Sequence, residues 1–255
     1  MKISGNTILI TGGGSGIGRA LAEAFHANGN QVVIAGRRKA LLEQVTAANR
    51  GMKSAVFDIE QNGAIGQLAE QLERDYPSLN VVIHSAGIMR PESVQAGRLE
   101  DAEATIATNL LGPIRLTSAL LGLLLRQQQA AIMTVSSGLA FLPLAITPTY
   151  CATKAAIHSY TQSLRYQLRD TRVQVLELIP PYVQTELMGP QQACNPNAMP
   201  LKDFIAETMH ILETSPDSTE ICVDRVKPLR FAEVNGNYDG FFRSFNSAMH
   251  AAAAH

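Results

Sequence analysis

"ILITGGGSGIGRALAEAF" occupies residues 8–25, and its reading decides the fold. Strand-forming apolar residues run straight into a cluster of glycines, after which Leu21, Ala22 and Phe25 take up helical spacing. Glycines at such a junction permit a tight turn and a close backbone approach to a pyrophosphate. The exposed N–H groups and positive end of the following helix then favour its charge. Gly12, Gly16 and Gly18 fit TGxxxGxG, one residue wider than GxGxxG. A glycine cluster alone also suits a plain flexible turn; the strand-to-helix junction is the context that dinucleotide binding requires.

Outward from this turn, short apolar runs alternate with longer segments of helical spacing. "TILIT" (7–11), "QVVIA" (31–35), "SAVF" (54–57), "NVVIHSA" (80–86), "AAIMTVSS" (130–137) and "VQVLELI" (173–179) have strand length and β-branched content. Near-continuous apolar strands suit a parallel sheet covered on both faces. Helical spacing fills 16–28, 38–49, 61–75, 101–129 and 149–169. The expectation is an α/β chain: a single-domain Rossmann fold, doubly wound and mostly parallel, with helices on both faces. One domain covers 1–255, with a substrate-loop insertion at about 186–218. Within that insertion 189–200 reads as loop and 201–214 as helix, and 219–232 reads as helix after it.

Composition narrows the function classes. The 255 residues are 46% hydrophobic and 17% charged, which suits a substantial interior. A formal net charge of −1 supplies no basic excess for nucleic acid. The longest apolar stretch, "ALLGLLL" (119–125), is too short to span a bilayer, and the N-terminus shows no secretory signal. Cys151, Cys194 and Cys222 form neither a disulfide framework nor a metal pattern, so a reducing, cytoplasmic setting is expected. Cys151 is read as a small buried hydrophobe and His84 as a packed strand-end residue. His158 and His210 lack partners at metal-ligand spacing, so no metal is expected. The tail "HAAAAH" (250–255) carries no fold signal.

The end of the second strand bears on which dinucleotide. An acidic residue there accepts hydrogen bonds from the ribose hydroxyls of NAD. "VVIAGRRKALLE" (32–43) presents Gly36, then Arg37 and Arg38. Without a carboxylate nothing repels a 2′-phosphate, and a guanidinium offers it a charge-assisted fork. NADPH (NADP+) is expected over NADH. The plainer reading is that both arginines start a solvated helix.

In "PTYCATKAAIHSYTQSLRYQL" (148–168), Tyr150 and Lys154 stand four apart on one helix face. A tyrosine that ionises near pH 10 becomes a usable acid/base when an ammonium within about 4–6 Å lowers its pKa by roughly 1–3 units. Such a pair alone is commonplace. "TVSSGLA" (134–140) adds Ser137 at a strand end, thirteen positions before Tyr150. "ATIATNLLGPIRLTSALL" (104–121) adds Asn109, a poor helix former inside a helical pattern.

With TGxxxGxG, Asp58 after the third strand, "SAG" (85–87) after the fourth, Asn109, Ser137 and Tyr150-xxx-Lys154 in this order, the chain resembles the short-chain dehydrogenase/reductase family from position 6 to about 185. Its wording further looks like the DltE-type oxidoreductase branch. The resemblance implies hydride exchange with a nicotinamide, with Tyr150 moving the proton and Ser137 holding the substrate oxygen. Lys154 would lower the Tyr150 pKa and hold the ribose, and Asn109 would anchor a relay water. It assigns Gly12, Ser15, Gly16, Ile17 and Gly18 to the cofactor phosphates, with Arg37 and Arg38 beyond. Asp58 and Ile59 would border the adenine, and Ser85, Ala86 and Gly87 the ribose side. Pro180 and Val183 would lead to Thr185 at the carboxamide.

Three departures stand out: Ser85 in place of asparagine, Pro180-Pro181 in place of Pro-Gly, and a C-terminal segment (220–242) that reads as helical where the family has a last strand. By analogy, a homodimer would form through the helices carrying Asn109 and Tyr150. Ile88, Met89, Phe141, Leu142, Pro143, Leu144, Leu187 and Met188 make the expected cleft rim mostly apolar, suited to a small or medium carbonyl compound or its alcohol. An NADPH-binding sensor without turnover, or an isomerase or dehydratase on the same scaffold, is the alternative. Sensors of this kind usually lose the tyrosine or lysine, and both are present.

Overall fold

A computed structural model describes the backbone of residues 1–253 and the side chains of residues 1–249; the rest of the 250–255 tail lies outside the described residues. Seven strands form one sheet: β1 (Thr7–Thr11), β2 (Gln31–Gly36), β3 (Lys53–Val56), β4 (Leu79–His84), β5 (Ala130–Val135), β6 (Val173–Ile179) and β7 (Glu220–Cys222). Among the described residues ten α-helices accompany them: α1 (Gly16–Ala27), α2 (Lys39–Ala48), α3 (Asn62–Asp75), α4 (Glu100–Ile106), α5 (Gly112–Leu125), α6 (Pro148–Gln167), α7 (Pro190–Ala193), α8 (Leu201–Thr214), α9 (Lys227–Arg230) and α10 (Tyr238–Ala253). Strand order is β3-β2-β1-β4-β5-β6-β7, every pairing is parallel, and the doubly wound α/β expectation holds.

Alternation along each strand feeds two cores. Ile8, Ile10, Val32 and Ile34 face one side, where Leu21 and Phe25 of α1 and Phe204 of α8 cover them. Leu9, Val33 and Ala35 face the other, under Leu68 and Leu72 of α3 and Leu116 and Leu120 of α5. Each of these side chains larger than alanine stabilises the fold by about 1.5–3 kcal/mol through removal from water. The order reverses between β1 and β4, and at that switch point the strand ends part to leave a crevice.

Two stretches differ from the sequence reading. Residues 101–129 are not one regular helix: a π-turn, Ala107–Leu111, separates α4 from α5, and the Gly112 N–H bonds to the Ala107 carbonyl. Pro113 lacks an N–H, so the Asn109 carbonyl has no i+4 donor and the regular ladder fails there. The segment 219–232 is not a helix either. Glu220, Ile221 and Cys222 add a last parallel strand opposite Glu177, Leu178 and Ile179, and a 3-10 turn (Asp224–Val226) and the short α9 follow. Three residues are too few to show a period of two, whereas Ile221 is fully buried against the sheet. The loop 189–200 carries the single turn α7, and α8 has the expected bounds.

The span Glu100–Leu125, taken through its π-turn, is long and apolar enough to cross a membrane, unlike the short run noted above. Half of its most apolar window is packed inside the protein, as a core helix requires.

Candidate active site

A cleft of about 670 Å³ opens at the switch point and runs from Arg37 and Arg38 past the glycine turn to Ser137, Tyr150 and Lys154, ending among Met188, Phe245 and Met249. The turn is built by close approach. Gly12 has φ +71°, and a Cβ there would stand 2.9 Å from the Ala86 backbone. A Cβ on Gly18 would stand 2.5 Å from the Gly12 carbonyl oxygen. Thr11 Oγ1 accepts the Ser85 and Ala86 N–H groups, both at 3.1 Å, and so ties the β1 turn to the β4 turn.

Ser15 is the N-cap of α1 but its side chain makes no capping bond; Arg38 donates to its Oγ at 2.7 Å instead. The first-turn N–H groups therefore remain open for an anion. Arg37 is paired with Glu60 at 3.0 Å, and the same Glu60 oxygen accepts from Thr108 at 2.7 Å. Neither Glu60 nor Thr108 has a sequence signature that marks it.

Ser137 ends the strand run and caps the next turn, its Oγ accepting from the Leu139 N–H at 3.1 Å. Tyr150 is buried and lines the cleft beside Ser137. Lys154 donates to the Val135 carbonyl at 2.7 Å, with Nζ 5.5 Å from the Tyr150 ring centroid. Burial pulls Lys154 down to about 8, and the Glu177 carboxylate raises it in part. The sequence expectation of a lowered Tyr150 pKa is corrected here: burial pushes the phenol above its ordinary value, the Ser137 side chain lowers it only in part, and Cys151 adds to the rise.

The expected catalytic and cofactor residues except Asp58 and Asn109 line this one cleft. Of the expected rim, Phe141, Leu142 and Pro143 do not: Leu142 is fully buried, and Phe141 packs against His158 and Arg230. The Asp58 carboxylate accepts the Glu60 N–H at 3.1 Å and Gln61 Nε2 at 3.3 Å, so it shapes its own loop. Neighbouring Ile59 does line the cleft. Asn109 holds the cleft wall from behind: Oδ1 accepts the Ile88 N–H at 2.9 Å, and Nδ2 donates to the Ile88 carbonyl at 2.9 Å and to Thr153 at 3.3 Å. Its side-chain amide is committed to these three bonds. Near Thr185, the buried Gln192 donates to the Val183 carbonyl at 2.8 Å and to Thr185 at 3.1 Å, a brace the sequence did not show.

His84 is buried and hydrogen-bonded to Thr117 at 2.9 Å, with its pKa lowered by burial to about 4. Cys151 is buried too, and burial raises its thiol. His158 does have carboxylate neighbours, contrary to the reading from spacing: its ring lies with Glu177 and Glu220 in a group whose ligand atoms are within 4.8 Å. Arg230 binds both oxygens of Glu220, at 2.9 and 3.0 Å, so this group is an ion network with one of its potential ligands already taken.

A Rossmann sheet, a glycine turn under the switch-point cleft, and a Tyr-Lys helix beside it define a dinucleotide-dependent class of fold. The chain belongs to the short-chain dehydrogenase/reductase family and is an oxidoreductase of that class: the family model described as short chain dehydrogenase matches residues 6–195. It is 36% identical over 253 residues to DltE of Bacillus subtilis (strain 168), described as an uncharacterized oxidoreductase, with 97% of this chain and 99% of that protein covered. Among solved structures, a serine dehydrogenase complexed with NADP+ is 25% identical, with a TM-score of 0.76 over 84% of this chain and 91% of that one. A family member from Burkholderia phymatum in complex with NAD is 19% identical, with a TM-score of 0.80 over 92% and 96%, and shows the shared fold.

Proposed function

We propose that the chain interconverts a small or medium, largely apolar carbonyl compound and its alcohol with NADPH as the favoured partner. One observation carries this: a single cleft joins two guanidinium groups and an uncapped helix N-terminus at one end to the buried Ser137, Tyr150 and Lys154 at the other. The side-chain-free cradle at Gly12 and Gly18 fits a dinucleotide, as do the open N–H groups beside Ser15. The nicotinamide, when bound, supplies or accepts the hydride.

The protein's own groups do the rest. Ser137 donates to the substrate oxygen and fixes its place next to the Tyr150 hydroxyl. Tyr150 gives that oxygen a proton in reduction and takes it back in oxidation. A high phenol pKa suits the donor, while the Lys154 ammonium stabilises the phenolate left behind. Of Asn109, whose side-chain amide is engaged with Ile88 and Thr153, we assign the backbone carbonyl to the relay water. Beyond Tyr150 the cleft wall is apolar, formed by Met89, Leu144, Met188, Phe245 and Met249.

We place the protein in the cytoplasm and as a homodimer through α4, α5 and α6. Exposed Ile106, Leu111, Leu125 and Tyr166 support such a surface. The test is a panel of aldehydes, ketones and secondary alcohols with NADPH and NADH, run beside Tyr150→Phe. Turnover should fall about 10²- to 10⁴-fold in the variant while NADPH binding persists. Equal turnover would remove Tyr150 from its role, and equal affinity for both cofactors would remove the NADPH preference.

A further inference from the structure

Behind the cleft, a second charged group adjoins the helix that carries Tyr150 and Lys154. Glu177 on β6 is fully buried at 0% exposure, and its carboxylate oxygens lie 2.8 and 3.1 Å from His158 Nδ1. His158 is one helical turn beyond Lys154, on the same face of α6. Register pairs Glu177 with Thr134, the residue before Val135, whose carbonyl holds Lys154 Nζ at 2.7 Å. Register partners share a sheet face, and adjacent strands are about 4.8 Å apart. Glu177 therefore stands one strand over and one residue back from the ammonium's anchor.

Among the described residues no arginine or lysine bonds to Glu177, whose partner is His158. Glu220 is its register partner on β7, but Arg230 takes both Glu220 oxygens and stacks over the Phe141 ring at 4.3 Å. Arg165 of α6 donates to the Val175 and Thr219 carbonyls, neutral groups that fix its place and leave its charge intact. Burial and Glu220 push the Cys222 thiol up to about 11, so it stays neutral. A buried carboxylate is costly, and a well-packed apolar residue would hold β6 at least as well. Leu176 and Leu178, its fully buried neighbours, do so already.

We propose that Glu177, oriented by His158, is a positioning residue for the reaction: its carboxylate is the counter-charge that keeps Lys154 an ammonium beside Tyr150. The pull of Glu177 on Lys154, against the effect of burial, agrees with this geometry. The proposal rests on the Tyr150–Lys154 reading above, so its test reads Lys154 directly and needs no substrate.

With lysine labelled at Cε and Nζ, the Lys154 signal, assigned by its loss in Lys154→Arg, is titrated by NMR in wild type and in Glu177→Gln. The midpoint should fall by about one pH unit or more, a tenfold weaker hold on the proton. A merely structural Glu177 would change the melting temperature and leave the midpoint in place. Glu177→Asp, which keeps the charge but withdraws it by one methylene, should give a smaller fall of the same sign and carries the test if the glutamine variant does not fold. An unmoved midpoint in a folded variant overturns the proposal, even where Tyr150→Phe is inactive. A lowered midpoint sustains it, even where Tyr150→Phe retains turnover and the catalytic reading fails.

Discussion

Asn109 grips Ile88 by both halves of its backbone, accepting its N–H and donating to its carbonyl, each at 2.9 Å. The grip works because the π-turn presents Asn109 at the junction of the loop after β4 with α6, where Thr153 takes the second amide hydrogen. Ile88 lines the cleft, so the shape of the cleft wall depends on an amide that never faces it.

Asn109→Ala should therefore cost stability first. Three hydrogen bonds, two partly buried and one buried, are lost and the Ile88 groups are left unpaired, so about 2–4 kcal/mol is expected from urea unfolding. Asn109→Asp should cost at least as much near neutral pH, because a carboxylate would then face the Ile88 carbonyl. A loss under about 0.5 kcal/mol for Asn109→Ala would show that the grip is unimportant.

Lys154 ties stability to pH. Its pKa is lowered by burial to about 8 in the folded protein, against 10.5 for the free side chain, so between these values the unfolded chain binds more protons. Stability must then rise with pH across that window, and the cost of burying the charge is present in full below pH 8. Tyr150 acts oppositely: its raised pKa means that stability is lost once pH exceeds the ordinary phenol value near 10. Relative to Lys154→Met, the wild type should gain up to about 3 kcal/mol between pH 8 and 10.5, read by denaturant unfolding. A constant difference between the two proteins would contradict a buried ammonium.

Arg37 enters the cleft already engaged by Glu60. Removing the Glu60 charge should free it, so Glu60→Gln is expected to tighten NADPH severalfold and leave NADH nearly unchanged. Arg38→Ala should weaken NADPH by about 10- to 100-fold through loss of a charge-assisted contact worth about 1.5–3 kcal/mol. Fluorescence titration of both cofactors decides this, and parallel changes for the two would defeat the 2′-phosphate assignment.

The parts of this molecule that were legible in sequence are those in which local pattern and final environment agree. β1 and β6 have the bounds their apolar runs predict, since parallel strands buried on both faces must be apolar throughout. The glycine turn was legible because contacts such as Gly18 on Gly12 lie within a few residues. β7 was not: its three residues become a strand only through pairing with β6. The His158–Glu177 pair joins residues nineteen apart on different elements, a distance no spacing rule reaches. For Tyr150 the motif shows the ammonium and not the burial, and burial dominates. Phe245 and Met249 lie about a hundred residues beyond the tyrosine they pack near, on a helix that the sequence reading did not carry past residue 242.

That helix, α10, closes the substrate end of the cleft, and Asn246 fastens it there. Its Oδ1 accepts the Ala145 N–H at 2.6 Å and its Nδ2 donates to the Pro143 carbonyl at 3.1 Å, which docks α10 on the loop between Ser137 and Tyr150. Phe245 and Met249 then face Met188 and Leu144 around the tyrosine. An apolar wall contributes in proportion to the area it covers, so truncating it should matter more for larger substrates. Phe245→Ala and Met249→Ala should each raise KM for the longest aldehydes of a homologous series by about 10-fold, the effect of about 1–3 kcal/mol of lost contact, with the shortest members little affected. Asn246→Ala, which unfastens α10 and leaves its apolar face intact, should raise KM across the longer part of the series and lower the melting temperature. The measurement is kcat and KM against chain length for all three variants. Uniform KM values along the series would mean that α10 shields the cleft without reading its substrate.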